Sequence, residues 1–349
     1  MDLRLKLTFL AVLAVGVIGA SAELYFPKKG EWERVSPESI GLDPDKLQKA
    51  LDYAGRNQSS GVVILHQGRI LAEQYWEVEG KRSAKFGSRV IGRTDAGHPI
   101  EDVASVQKSV VSVLVGIARE KGLLKLSDPV SEHLGPGWSK AGLRQEKEIT
   151  IRHLITMTSG LKDNARFEAR AGTKWRYNTW AYAQTVAVLE KASGRDRHEL
   201  THEWLTNPLG MNDSKWTPRR AAEIQSVNAF GFATSARDLA RFGLMMLANG
   251  KWAGKTILDE NYLRDSTQTS QRMNPHYGYL WWLNRDANKP RSRRNASSPP
   301  DTFSANGALN RRCWVSPEIQ LVITRIGDQP PAKRGFDEEF WRLLRASKK

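Results

Sequence analysis

An α+β fold is predicted by three observations. Strand-like apolar runs sit at both ends of the chain, at 62–66 and 70–76 and again at 278–283, 303–306, 312–315 and 321–326. The middle reads as helices separated by Gly and Pro turns. No internal repeat interrupts that order. The terminal strands can then pair into one antiparallel sheet flanked by helices, with an all-helical lobe between them in sequence and a cleft between the lobes. Residues 36–76 and 277–349 are assigned to the sheet lobe, and 77–276 to the helical lobe.

Each element has its own signal. Asp43 is placed to cap a helix whose Leu47, Ala50, Leu51 and Ala54 share one side. Gln67-Gly68 between the first two strands reads as a hairpin turn. Residues 77–101 are polar and Gly-rich, so a loop is expected there. A helix follows from about Ser105, with Asp102 as N-cap and Lys121-Gly122 as its stop. Its Val110, Val111, Val113, Leu114, Val115 and Ile117 predict burial on most sides. A short helix starts at 126–130. Residues 149–161 read as a capped helix ending in a Gly turn, and 181–192 as a helix stopped by Ser193-Gly194. Ser235 and Asp238 are expected to cap a helix at 237–247, and 338–346 closes the chain as a helix.

Composition bounds the answer. A chain of 349 residues, 40% hydrophobic and 26% charged, suits one large globular unit or two interleaved lobes. Twelve tryptophans argue against disorder. Residues 1–22 read as a secretory signal peptide: Arg4 and Lys6, an apolar stretch at 7–18, then Ala20-Ser21-Ala22. Cleavage is expected after Ala22, leaving 23–349 as a periplasmic or secreted protein without stable membrane insertion. The stretch is short for a bilayer span, and an uncleaved anchor is the alternative. Cys313 is the single cysteine, so no internal disulfide can form, and its strand-like surroundings mark it as packing. The net charge of +15 is strongly basic. Its one dense cluster, 285–294, lies in a Pro/Ser/Asn-rich stretch without aromatic interleaving, so a basic surface loop is expected and nucleic acid is not.

Chemistry concentrates in Ser105-Val106-Gln107-Lys108. Ser and Lys three apart on a helix lie on one face, about one turn from each other. A lysine anchored in a buried helix is desolvated, which lowers its pKa and frees the amine to act as a base. A serine at a helix start has unpaired backbone N–H groups beside it, which favour developing negative charge. Together they describe an activated nucleophile.

With its neighbours in order, the chain resembles the serine β-lactamase and penicillin-binding protein superfamily. It is most similar to the class C-like branch, which includes esterases, D-amino-peptidases and 6-aminohexanoate-oligomer hydrolases. The likeness runs from about Ser36 to Gly327. It rests on Ser105-Val-Gln-Lys108, the 151–161 run with Met157-Thr158-Ser159-Gly160, the Tyr177 stretch, Pro208-Leu-Gly-Met211, Ser235-Ala-Arg-Asp238 and Tyr277-Gly-Tyr-Leu-Trp-Trp282. The resemblance implies a β-lactamase/DD-peptidase-like fold with a five-stranded antiparallel sheet. It implies Ser105 as nucleophile, Lys108 as its base or proton relay, and Tyr177 as the tyrosine whose phenolate takes the serine proton and then protonates the leaving group.

That tyrosine usually opens a Tyr-x-Asn motif. Here Thr179 holds the third position and Asn178 stands one place early, so Asn178 is the expected substrate-facing amide. The family's cleft strand matches Ser304-Ala305-Asn306-Gly307-Ala308. Gly307 allows close backbone approach. Ala308 N–H with Ser105 N–H is the implied oxyanion hole, and Asn306 a substrate contact. Ala305 stands where the penicillin-recognising members carry a cation, which favours an ester or amide substrate. Arg291, Arg293, Arg294 and Arg311 are the candidate replacement cations.

His198-Glu199-Leu200-Thr201-His202 matches the H-E-x-x-H zinc signature, with Glu223 as the candidate third ligand. Its charged flanks, Asp196-Arg197 and Glu203, describe an amphipathic surface helix instead, so neither metal nor cofactor is expected. The sequence therefore predicts an exported serine hydrolase acting on a small-molecule ester, amide or peptide through an acyl-enzyme. Esterase or amide hydrolase activity ranks first, D-amino-peptidase second and β-lactamase third. A non-catalytic ligand-binding protein on the same fold is the competing class.

Overall fold

The run Val62-Val63-Ile64-Leu65 is apolar at every position, which a strand tolerates when both its faces are covered. The computed structural model describes residues 23–28, 30–78, 90–219, 229–286, 289, 291–331 and 335–349. In it this run forms the middle of β1 (Ser59–His66). The other strands are β2 (Arg69–Tyr75), β3 (Val90–Arg93), β4 (Pro99–Asp102), β5 (Lys215–Pro218), β6 (Phe230–Thr234), β7 (Lys251–Trp252), β8 (Lys255–Thr256), β9 (Trp282–Leu283), β10 (Phe303–Gly307), β11 (Arg311–Ser316) and β12 (Leu321–Gly327).

The main sheet is six-stranded, ordered β2-β1-β12-β11-β10-β9, with antiparallel neighbours throughout. Strands from both ends of the chain thus meet, as the element order requires. The sixth strand, β9, is a two-residue edge added to the five implied by resemblance. Alternation along β1 splits its side chains between two cores. Val62 and Ile64 join Leu47 and Leu51 of the Pro44–Arg56 helix and Phe340 and Trp341 of the Phe336–Ala346 helix. Val63 and Leu65 join the larger core, which holds the Gln107–Glu120 helix and the Ala236–Leu247 helix. Cys313 sits in that larger core, its Sγ against Leu239 O at 3.7 Å. Gly243 faces it: a Cβ there would meet Val322 Cγ1 at 2.5 Å and Cys313 Sγ at 2.9 Å, so glycine sets how closely helix and sheet approach.

Several expectations shift. Within 77–101, the described residues carry β3 and β4, which join β6 and β5 in a second sheet, ordered β3-β4-β6-β5, inside the otherwise helical part. Pairing of Glu101 with Thr234, far apart in sequence, fixes β4, and no local pattern reports it. The helix expected at 149–161 is shorter, Ile151–Ile155. Met157 and Gly160 have φ of 61° and 72°, and a Cβ on Gly160 would meet Ala169 O at 2.0 Å, so the chain unwinds to let that loop pass. Of 278–283 only β9 is strand, because Leu280 adopts φ 62°. Asp43 and Ser235 cap as expected, accepting from Asp45 and Lys46 N–H and from Asp238 N–H. Asp238 does not cap; its carboxylate takes Asp213 N–H and Ser214 Oγ, both at 2.8 Å. Residues 1–22 and 221–228, and with them the leader and Glu223, lie outside the described residues. Among the described residues no helix is long and apolar enough to cross a membrane.

Candidate active site

The site starts from the turn that precedes the buried helix. Asp102 ends β4 and its Oδ1 accepts from Ala104 N–H at 2.8 Å. Ala104 takes φ 52°, an uncommon conformation for a residue with a Cβ. One 3-10 turn, Ala104–Val106, then leads into the Gln107–Glu120 helix. Asp102 is therefore not the N-cap of that helix, as expected, but a clamp on the turn in front of it. The turn holds Ser105 half-buried, with its hydroxyl facing the next helical turn.

Lys108 points back to it. Its Nζ lies 3.0 Å from Ser105 Oγ, and the residue is only 2% exposed. The faces of two tyrosines enclose the amine, Tyr182 at 4.6 Å and Tyr177 at 5.1 Å from the ring centroids. Aromatic faces favour an ammonium. Burial opposes it, and the positive charge of Arg219 adds to burial. These two effects win and bring the Lys108 pKa down to about 7. A neutral amine at hydrogen-bond distance from a serine hydroxyl is a competent base for it.

Tyr177 lies beside the same pair, its ring 5.1 Å from Lys108 Nζ. Burial raises its pKa, more than the nearby Ser105 hydroxyl lowers it. The phenol form is thus favoured, and of the two groups beside Ser105 it is Lys108 whose pKa is lowered. Trp282 stacks on Tyr177 at 6.0 Å with planes 22° apart, and the Arg294 guanidinium lies 4.0 Å from the centre of that indole.

The end of β10 closes the other side. An ideal Cβ on Gly307 would lie 2.3 Å from Val103 O, so glycine is what lets this strand reach the turn carrying Ser105. Ala308 follows immediately and is exposed. Asn306 Oδ1 is buried without a hydrogen-bond partner among the described residues. It lines a pocket of about 270 Å³ shared with Trp282, Arg294 and Arg312. Ala305 is fully buried, so the strand presents no cation at that position.

The structure brings Ser105, Lys108, Tyr177 and the Gly307 end of β10 together. Asn178 is placed differently from expectation. Its Oδ1 caps the Thr179–Ser193 helix through Ala181 N–H at 3.0 Å, and its Nδ2 donates to Leu161 O at 2.8 Å. With both ends engaged and 1% exposure it holds the loop that carries Tyr177 and leaves no group for substrate. Of the four candidate cations, Arg311 is buried against Glu101 at 2.9 Å, Arg291 and Arg293 are exposed, and Arg294 alone stacks beside the site. His198 packs edge-on against Phe230 and His202 neighbours Thr206; both are exposed. Among the described residues no group of three His, Cys, Asp or Glu is arranged to hold a metal. Sequence reading missed Tyr182 and Arg219. Tyr182 follows Tyr177 by five residues on a buried helix and was findable; Arg219 had no signal.

A half-buried, amine-paired serine beside the glycine end of a strand defines the class of site. The Beta-lactamase family model matches residues 45–346, and the chain belongs to that family. Its members include serine hydrolases, among them esterases and carboxypeptidases. The chain is 27% identical over 207 residues to the D-alanyl-D-alanine-carboxypeptidase/endopeptidase AmpH of Escherichia coli, covering 52% of this chain and 51% of the relative. It is 25% identical over 213 residues to the esterase EstB of Burkholderia gladioli, covering 51% and 54%. The match thus spans about half the length of these named relatives. A penicillin binding protein from Bacillus halodurans shares the fold at a TM-score of 0.61 and 14% identity, over 86% of this chain and 97% of that one.

Proposed function

We propose that the protein is an exported serine hydrolase that cleaves an ester or amide through an acyl-enzyme on Ser105. The 3.0 Å contact between Ser105 Oγ and a buried, readily neutral Lys108 carries this reading. Ser105 Oγ attacks the substrate carbonyl carbon while its proton passes to Lys108 Nζ. The charge that develops on the carbonyl oxygen is met by the N–H groups of Ser105 and Ala308. Collapse breaks the bond to the leaving group, which takes up the proton with the Tyr177 hydroxyl as relay. Water, deprotonated by Lys108, then attacks the acyl carbon, and the acid departs as Ser105 regains its proton. The uncharged Ala305 supports an ester or neutral amide over a β-lactam, with D-amino-peptidase activity second.

Two measurements test the reading. Intact-mass analysis after exposure to a fluorophosphonate or a chromogenic ester should show one adduct, absent from Ser105→Ala; equal labelling and turnover in both would reject it. Export rests on the leader at residues 1–22, and a mature protein beginning at Glu23 is the expected product.

A further inference from the structure

Arg219 follows β5 directly, its N–H closing the β5–β6 hairpin on Ala229 O at 2.9 Å. Its side chain is 1% exposed, an expensive place for a cation unless it is paired. The pairing reaches both halves of the Ser105–Lys108 segment. Nε and Nη2 donate to Asp102 Oδ2 and Oδ1 at 2.8 and 3.0 Å, and that same Oδ1 holds Ala104 N–H in the turn before Ser105. Nη2 also donates to Gln107 Oε1 at 2.9 Å. Gln107 Nε2 in turn donates to Tyr182 OH at 3.2 Å, and the Tyr182 ring faces Lys108 Nζ. A Cβ on Gly231 would sit 1.9 Å from Asp102 Oδ2, so β6 carries a glycine where the carboxylate passes.

We propose that Arg219 is a positioning residue for the hydrolysis, fixing the serine turn through Asp102 and the Lys108 surroundings through Gln107, and holding a positive charge behind the amine. This rests on the serine-hydrolase reading above. The groups round Lys108 are the Ser105 hydroxyl, the Tyr177 and Tyr182 rings, and Tyr277 beyond Tyr177. Among the described residues, the buried charged groups next to the serine turn include Arg219 with Asp102 and Arg311 with Glu101, each an ion pair. Among the described residues no carboxylate is within ion-pair reach of Lys108, so Arg219 is the charge that bears on it. A positive neighbour favours the neutral amine.

The test is the pH profile of kcat/KM on a chromogenic short-chain ester, for the wild type, Arg219→Gln, Arg219→Lys, Asp102→Asn and Ser105→Ala. The wild-type acidic limb is expected to bend near 7. Arg219→Gln should move the bend up by about one unit, Arg219→Lys should return it towards the wild-type position, and Asp102→Asn, which removes a negative charge beside Arg219 and the serine turn, should move it down. A merely structural role would lower activity in both Arg219 variants without moving the bend, and that result overturns the inference. If Arg219→Gln does not fold, Asp102→Asn decides alone: a downward shift supports the inference and an unmoved bend overturns it. Turnover retained in Ser105→Ala overturns the parent reading and this inference with it. Turnover lost in Ser105→Ala with an unmoved bend in Arg219→Gln overturns this inference alone.

Discussion

Two buried polar clusters in this molecule do the same thing to opposite groups. Around Ser105, burial and Arg219 bring Lys108 down to about 7. Around the start of the Ala236–Leu247 helix, burial and the neighbouring Asp213 bring Asp238 up to about 7. In each case desolvation is the larger cause and a like charge the helper. The surroundings differ. Lys108 faces the hydroxyl of a half-buried serine and the rings of two tyrosines. Asp238 faces Asp213 N–H and Ser214 Oγ, donors that hold a loop in place. A strongly shifted group marks a functional site only when a nucleophile and room for substrate lie beside it.

The comparison is broken most easily at the serine. Ser105→Ala should lower ester turnover about a thousandfold or more, leaving only the background of the remaining site. Unchanged turnover would place the chemistry elsewhere. Lys108→Met comes next, with a loss of about a hundredfold or more in kcat/KM. The same substitution should stabilise the fold. A lysine whose folded pKa lies below its unfolded 10.5 destabilises most below about 7, and the penalty fades as pH rises towards 10.5. The gain from Lys108→Met should therefore be larger at pH 6 than at pH 9, by about 2 kcal/mol, measured by urea unfolding at the two pH values. A gain that is equal at both would mean that Lys108 is not held neutral.

Smaller effects sharpen the contrast. Tyr177→Phe removes a relay and keeps the ring, so turnover should fall about tenfold to a hundredfold while stability changes little. A larger fall for amide substrates than for activated esters is expected, because a poor leaving group needs the proton more. Asp238→Asn should leave turnover unchanged. Its folded pKa is raised from 3.8, so the charge penalty is absent below about 4, grows between 4 and 7, and is constant above. The variant should match the wild type at pH 4 and exceed it at pH 8 by about 4 kcal/mol. A loss of turnover in Asp238→Asn would join the two clusters and undo the contrast.

Chain order and local chemistry were enough for much of this. The α+β class, the strand pair joined at Gln67-Gly68, the Cys313 packing position and the closeness of Ser105, Lys108 and Tyr177 were legible. Alternation, turn residues and a helical three-residue spacing are short-range signals, and they survive folding when the core demands them. The family match agrees with the resemblance stated on those motifs.

What the sequence by itself determined was which residues are able to react and which segments bury themselves, because both follow from residue type and period. Tertiary structure alone decided how the lysine's pKa is lowered and which polar residues are structural. Asn178 reads as a substrate amide until two backbone partners claim it. Asp102 reads as a helix cap until Arg219, more than a hundred residues away, turns it into an anchor. Long-range pairing of buried charges leaves no periodic trace in the chain, and it is set only when β4, β5 and β6 come together beside the serine turn.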